Sequence, residues 1–431
     1  MSYPNFYVGL CRQVRINAGT LICALVLCAC GGGDGGGAAS TSISAAAPTV
    51  VGASVPGANR ITVVADSGPA GASYQINRLF TTVTVCLPGT ANCTSIDHVL
   101  VDTGSVGLRI FRSATTDAML NQTTAGGLPL MNCVKFLDTS YAWGPVKLAT
   151  VQLGAMQASN IAIQVIADSA YPAPAPCAGG GTAITSAIGG RSNSFGANGI
   201  LGVGQFQEDC GTSCVTNGGG MYYACSSGAC TVTTANPTST SLQIKNPIVK
   251  FPTDFNGLMI DLPSVPGANA ASVTGYIYFG IGTQANNDAS GFTPITASAI
   301  TGYVTTRLPG RLAMAQSFLD TGSTALFFDD PTLSTCDLPN TWAYCPSSPK
   351  DYTNVIISGR NGKTKSVNFT VASSTFVNGT YVYQNQAGQF GSSNSFDWGL
   401  PFFFGRKVFV GIEGFNFTVD GQVLVGPMFA F

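Results

Sequence analysis

The tetrapeptide Asp-Thr-Gly-Ser occurs twice, as Asp102-Thr103-Gly104-Ser105 and as Asp320-Thr321-Gly322-Ser323. A given tetrapeptide turns up in a chain of this length roughly once per hundred sequences, so two copies point to a duplicated element. Each copy ends an apolar run, Val99-Leu100-Val101 in the first half and Phe318-Leu319 in the second. Two carboxylates brought face to face across a two-fold axis can share one proton, one acting as base and the other as acid toward a single water. Asp102 and Asp320 are the candidate pair. Too close for both to ionise easily, they should titrate as a unit, with one apparent pKa pushed up and the other down. Gly104 and Gly322 lack a Cβ, so the chain can turn tightly and bring backbone N–H groups to each carboxylate.

Rival chemistries lack parts. His98 is the only histidine, which leaves Ser-His-Asp and Cys-His hydrolysis, or a His-ligated catalytic metal, without enough residues. It lies just ahead of the apolar run that leads to Asp102 and reads as a structural or exposed residue. The cysteine spacings form no paired C-x2-C motif, which weakens a metal reading, and water activation by two Asp needs neither a metal nor an organic cofactor. With a net charge of −1 and only 9% charged residues, the surface offers no basic field for nucleic acid.

The elements that must position the two Asp are strands. The 53 glycines, the many β-branched residues and the abundant Asn, Ser and Thr favour short strands with frequent turns. Thr82-Val83-Thr84-Val85, Tyr276-Ile277-Tyr278-Phe279 and Lys407-Val408-Phe409-Val410 read as strands, whereas long amphipathic helix patterns are scarce. The expectation is an all-β protein. Its length suffices for two lobes, placed at residues 58–240 and 241–431.

The beginning of the chain reads as an address. Arg12 and Arg15 form a basic n-region, and Leu21 to Leu27 is an apolar stretch too short to span a bilayer. Leu27-Cys28-Ala29-Cys30 then has the form of a bacterial lipoprotein signal, with residues 1–29 removed and Cys30 lipidated. Several acyl chains would anchor the protein firmly to a membrane. Gly31 after the lipidated cysteine, in place of Asp, favours the outer membrane of a bacterial cell envelope. Residues 30–57, rich in Gly, Ala and Ser with Asp34 as the only charge, read as a flexible tether.

Cysteine usage fits export to an oxidising compartment. Setting aside Cys11, Cys23, Cys28 and Cys30, the spacing of the remainder suggests Cys86–Cys93, Cys210–Cys214, Cys225–Cys230 and Cys336–Cys345, which leaves Cys133–Cys177. A crossed arrangement among residues 210–230 fits the spacing too. Short loops of this kind stabilise by roughly 2 kcal/mol each in the chain-entropy model.

Further motifs accompany the tetrapeptides in order. After the first come Tyr141-Ala142-Trp143-Gly144, the strand-like Val151-Gln152-Leu153 with a turn at Gly154, and Asn198-Gly199-Ile200-Leu201-Gly202; after the second comes Trp398-Gly399-Leu400-Pro401. This order resembles that of the pepsin-like aspartic peptidases over roughly residues 60–431. The resemblance implies a bilobed double barrel with a catalytic cleft between the lobes, Asp102 and Asp320 as the dyad, and a hairpin flap carrying Tyr141. It also implies that Thr103 and Thr321 reach into the opposite loop, and that Ser105 and Ser323 bond the outer carboxylate oxygens. Arg109 stands where such enzymes usually carry a Trp, so the flap network is expected to be rebuilt around Trp143. Arg60 is the only basic residue between Cys30 and Ile61, so a charged zymogen switch is not expected. Val85-Cys86-Leu87-Pro88-Gly89-Thr90, Trp143-Gly144-Pro145-Val146 and Phe279-Gly280-Ile281-Gly282-Thr283-Gln284-Ala285-Asn286-Asn287 resemble a narrower group, a family of bacterial lipoproteins of unknown function.

With the lipoprotein signal, the resemblance leads to the expectation of a membrane-anchored aspartic endopeptidase that takes an extended peptide or protein substrate and acts as a monomer. The alternative is a catalytically silent lipoprotein that holds a peptide or glycan on the same scaffold.

Overall fold

The structure is a computed structural model that describes residues 47–72, 76–115, 120–167, 171–188, 195–216, 219–235, 242–337, 341–375 and 377–431. Strands dominate these residues, and the helical pieces are single turns such as Ala175–Ala178 and Pro247–Lys250. The expected all-β, two-lobed build is present. Cys30 and residues 30–46 of the expected tether lie outside the described residues. The expectation of a flexible stretch up to residue 57 is corrected: Thr49–Val51 is a strand paired in parallel with Ser272–Thr274, whose backbone groups satisfy its own.

A shared sheet joins the two halves. Arg60–Ala65, from the first half, runs antiparallel to Ser272–Phe279, from the second, with Ile61 opposite Ile277. Ser272–Phe279 pairs in turn with Gly257–Leu262, which pairs with Arg406–Gly411, and that strand with Met428–Ala430. Both faces of this sheet are covered. Leu258, Ile260, Val408 and Val410 belong to the main core, while Met259, Tyr278 and Phe409 pack into a second cluster with Phe417 and Met428. Burial on both faces explains why Lys407-Val408-Phe409-Val410 is a run of apolar residues after its first position rather than a strict alternation.

In the first lobe, Leu79–Cys86 and Cys93–Asp102 form a hairpin closed by the Cys86–Cys93 disulfide. Its alternation buries Val83 and Val85 while Thr84 stays half-buried. Tyr141–Leu153 and Met156–Ile166 form a long hairpin whose turn includes Gly154 at φ +59°. There an added Cβ would lie 2.9 Å from the Arg60 carbonyl, so both the φ and the close approach call for glycine. In the second lobe, Lys350–Ser358, Thr364–Val371, Val304–Arg307, Met314–Leu319 and Ser395–Trp398 form a separate sheet. Its core is aromatic. Phe396 stacks on Phe328 at 4.8 Å and on Trp398 at 4.0 Å, and each such buried ring contributes about 1.5–3 kcal/mol. The Leu400-Pro401-Phe402 turn is also interior, with Phe402 edge-on to Trp398 and to Phe431.

Ten cysteines of the described residues form five disulfides: Cys86–Cys93, Cys133–Cys177, Cys210–Cys214, Cys225–Cys230 and Cys336–Cys345. The pairs at 210–230 are not crossed. Four close short loops, and Cys133–Cys177 spans 44 residues to tie the Leu128–Lys135 strand to the Ala175–Ala178 turn.

Candidate active site

The two Asp-Thr-Gly-Ser loops are built the same way. Cys93–Asp102 enters the first loop and Val106–Phe111 leaves it, and Gly199–Val203 threads between them, parallel to the entering strand and antiparallel to the leaving one. Met314–Leu319 enters the second loop and Leu326–Phe327 leaves it, with Ser395–Trp398 threaded in the same sense. Gly202 lies opposite Asp102 in the parallel register. Leu319 lies opposite Trp398, so Gly399 is the corresponding position beside Asp320. The loops leave no room for a side chain at either glycine. An added Cβ on Gly202 would sit 2.6 Å from the Val106 backbone, and one on Gly399 would sit 2.2 Å from the Ala325 carbonyl.

The loops meet tip to tip. The Thr103 amide donates to the Thr321 hydroxyl at 3.1 Å, and the Thr321 amide donates to the Thr103 hydroxyl at 3.0 Å. Each hydroxyl passes its own proton onward, Thr103 to the Leu319 carbonyl at 3.0 Å and Thr321 to the Val101 carbonyl at 2.9 Å. All four groups are buried, so the network excludes water and is satisfied throughout. It brings Asp102 and Asp320 close enough to share a hydrogen bond. The Gly104 amide donates to Asp102 Oδ1 at 2.8 Å and the Gly322 amide to Asp320 Oδ1 at 2.7 Å. The Ser105 hydroxyl donates to Asp102 Oδ2, and the Ser323 hydroxyl donates to Asp320 Oδ2 at 2.9 Å. Gly322 is also required by space, because a Cβ there would lie 2.7 Å from Asp102 Oδ1.

Both carboxyls are wholly buried, at 0% exposure. Burial pushes Asp102 well above the usual carboxylate range, and the charge of Asp320 and the hydrogen bond to it push further. Burial raises Asp320 as well, while the bond from Asp102, the Ser323 hydroxyl and the Gly322 amide pull it back. The expectation that one member would fall below the ordinary value is therefore corrected. Desolvation of the pair outweighs the hydrogen bonds, and the two differ in how far they rise.

A cavity of about 580 Å³ flanks the dyad. Gly104 and Ser105, just after the first Asp, and Phe318 and Leu319, just before the second, form part of its wall. Both lobes contribute. Leu137, from the turn of the hairpin between Leu128–Lys135 and Tyr141–Leu153, also reaches it.

That hairpin is the expected flap element, but Tyr141 and Trp143 do not line the cavity. Two residues apart on one strand, they share a face, and that face packs on Cys133, Cys177 and Tyr223. The Trp143 indole donates to the Tyr171 carbonyl at 2.8 Å and meets the Tyr223 ring edge-on at 5.4 Å. The disulfide-bonded cluster has taken these rings into the lobe interior.

Arg109 organises the base of that hairpin instead. It is fully buried, and its guanidinium donates to Asn132 Oδ1 and Gln164 Oε1, both at 2.7 Å, and to Asp209 Oδ2 at 2.9 Å. Asp209 also accepts from the Tyr222 hydroxyl at 2.6 Å and from the Asn132 amide at 3.2 Å. Asn132 lies on the Leu128–Lys135 strand and Asp209 in the cavity wall, so one ion pair couples three parts of the lobe. Burial raises the Asp209 pKa against the pull of Arg109 and Tyr222. The pairing of Arg109 with Asp209 has no local sequence signal, since the partners are 100 residues apart.

Asn77 is a second residue the sequence did not flag. Its side-chain amide donates to the Thr324 carbonyl at 2.8 Å and the Tyr383 carbonyl at 2.9 Å, and its Oδ1 accepts from the Tyr383 amide at 2.8 Å. It thus pins the entry to the first lobe against the second Asp-Thr-Gly-Ser loop. His98 stands apart from the site, half-exposed, with Nδ1 2.9 Å from Asp97 and Nε2 3.6 Å from Asp66. Bonding to Asp66 raises its pKa. Among the described residues no group of three His, Cys, Asp or Glu side chains converges to hold a metal ion, and no helix is long and apolar enough to cross a membrane.

Residues 56–431 match the model of a family described as a protein of unknown function, DUF3443. No curated protein matches the chain in sequence. Among solved structures, the crystal structure of an aspartic proteinase from Irpex lacteus is similar at 14% identity and a TM-score of 0.46, over 86% of this chain and 96% of that one.

Proposed function

Because the chain belongs to the DUF3443 family, whose function is unknown, its activity has to be read from the site's own chemistry, and we propose that it is an aspartic-type endopeptidase. The observation that carries this reading is the reciprocal bonding of Thr103 and Thr321, which holds two buried carboxyls in contact. A structural role alone does not account for such a pair, since burying two like acids is costly. In the proposed reaction an extended peptide lies along the cavity beside Gly104 and Phe318. A water between the carboxyls attacks the scissile carbonyl, giving its proton to Asp320. In this scheme Asp102 carries the shared proton and donates it to the developing oxyanion. Collapse of the tetrahedral intermediate returns a proton to the leaving amine.

In the same proposal residues 1–29 are a signal, Cys30 carries the lipid, and the residues between Cys30 and the Thr49–Val51 strand tether a monomeric enzyme to the outer membrane of a bacterial envelope. Its substrates are peptides or proteins.

One observation favours a second reading, that of a lipoprotein which holds a peptide or glycan without cutting it: neither carboxyl is exposed to solvent. A single experiment separates the two. The protein is incubated with a denatured protein mixture across about pH 3 to 7, with and without pepstatin, beside Asp102→Asn and Asp320→Asn. The peptidase reading expects cleavage that pepstatin blocks and that both variants lose while remaining folded. Full activity in either variant would sink the dyad, and folded protein that cuts nothing would leave the holding role.

A further inference from the structure

The chain contains only two glutamates, Glu208 and Glu413, and both line the cavity beside the dyad. Their situations differ. Glu208 is paired with the Lys245 ammonium, and the neighbouring Asp209 is neutralised by Arg109. Glu413 accepts a hydrogen bond at 3.1 Å from the Gln207 amide on Oε1 and has no cationic partner among the described residues. Burial raises its pKa and the charge of Glu208 adds to this, as expected of a carboxylate facing a second one with no counter-ion.

A second observation points to a ligand. Gln205, 4% exposed, stands in the same wall, and its Nε2 is buried with no hydrogen-bond partner. Its amide head lies against Gly302 on the facing wall, where an added Cβ would meet Gln205 Oε1 at 2.9 Å. An unsatisfied buried N–H costs about 1–3 kcal/mol, and an acceptor arriving with the ligand would recover it. A third feature is aromatic. Phe206, Tyr303 and Phe318 line the cavity, the last two with ring centres 6.0 Å apart.

An anion without a partner, a donor without an acceptor and aromatic walls suit one kind of group. A lysine or arginine side chain can lay its alkyl stem on the rings and put its cation at the carboxylate. An acidic side chain would be repelled, and a purely apolar one would bury Glu413 without a counter-ion. We propose that this cavity is the subsite for a lysine or arginine of the bound peptide, with Glu413 as its counter-ion and Gln205 as donor to a peptide carbonyl. For cleavage this rests on the peptidase reading; for binding it does not.

The test therefore measures both. Two peptides identical except for lysine against norleucine are titrated into full-length Asp320→Asn protein, and the same pair is offered as substrate to the native chain. The lysine peptide is expected to bind at least about tenfold tighter, or 1.4 kcal/mol. Adding Glu413→Gln, which keeps an acceptor for the Gln207 amide, removes that difference. Gln205→Met weakens both peptides alike. Equal binding of the two peptides, binding of neither, or a lysine preference that survives Glu413→Gln overturns the subsite, whether or not the native chain cleaves. A lysine preference abolished by Glu413→Gln in a chain that cuts neither peptide upholds the subsite and removes the peptidase reading.

Discussion

Thr103 and Thr321 exchange hydrogen bonds across the lobe boundary, each amide donating to the other's hydroxyl at 3.1 and 3.0 Å. The exchange is symmetric, buried and complete, so the relative position of the two carboxyls is set by backbone as much as by side chains. Removing one hydroxyl strands the opposite amide and leaves a carbonyl without its donor, each at a cost of about 1–3 kcal/mol. Thr103→Val and Thr321→Val should therefore lower unfolding free energy by a few kcal/mol, while Thr→Ser at either position retains most of it. Urea titration compares the four variants; a Val variant as stable as the native chain would show that the exchange does not hold the loops.

The raised Asp102 sets a pH dependence of known sign. Its folded-state pKa lies above the unfolded value of about 3.9. The folded chain thus binds the proton more tightly, and stability falls as pH rises from about 4 toward the folded pKa. Asp102→Asn removes the ionisation, so the variant should be more stable than the native chain at neutral pH, with the gap closing below about pH 4. Unfolding measured at both ends of this range decides the point, and a variant that is less stable at neutral pH contradicts it. By the same sign, the alkaline limb of any cleavage profile should lie above the ordinary carboxylate range, because activity ends when the shared proton is lost.

Arg109 and Asp209 form an ion pair with side chains 0% and 1% exposed. Breaking one partner leaves a buried charge without compensation, at a cost of about 3–5 kcal/mol. Arg109→Met should cost this much, and Arg109→Met with Asp209→Asn should cost clearly less than the sum of the single changes. Because Asn132 loses its donor too, hydrogen exchange in Leu128–Lys135 should speed up before the distant Ser272–Phe279 strand is affected.

Among the disulfides, Cys133–Cys177 closes 44 residues and Cys210–Cys214 closes 4. The chain-entropy model assigns about 4 kcal/mol to the first and about 2 kcal/mol to the second. Replacing Cys133 and Cys177 by Ala should lower stability by more than the same change at 210 and 214, and should release the Tyr141 and Trp143 cluster. Near-ultraviolet circular dichroism of Trp143 reads the second effect directly.

Features encoded by local chemistry were legible in the residue order. Repetition of Asp-Thr-Gly-Ser marked both loops, strand alternation and turn residues marked an all-β chain, and short cysteine spacings limited the plausible pairs. Each depends on residues close together along the chain. What depends on residues far apart was decided only by the tertiary structure. Arg109 is neutralised from 100 positions away, and Asn77 braces Thr324 from 247 positions away. Tyr141 and Trp143 turn into the lobe because Cys177 and Tyr223 occupy the face they share. Glu208 and Glu413 share one cavity although 205 positions separate them along the chain, since the Gln205 carbonyl accepts from the Glu413 amide at 2.8 Å. Asp102 and Asp320 both rise because burial outweighs the hydrogen bonds made to each carboxyl. Such terms follow from solvent exclusion and three-dimensional proximity, and neither is written in residue order.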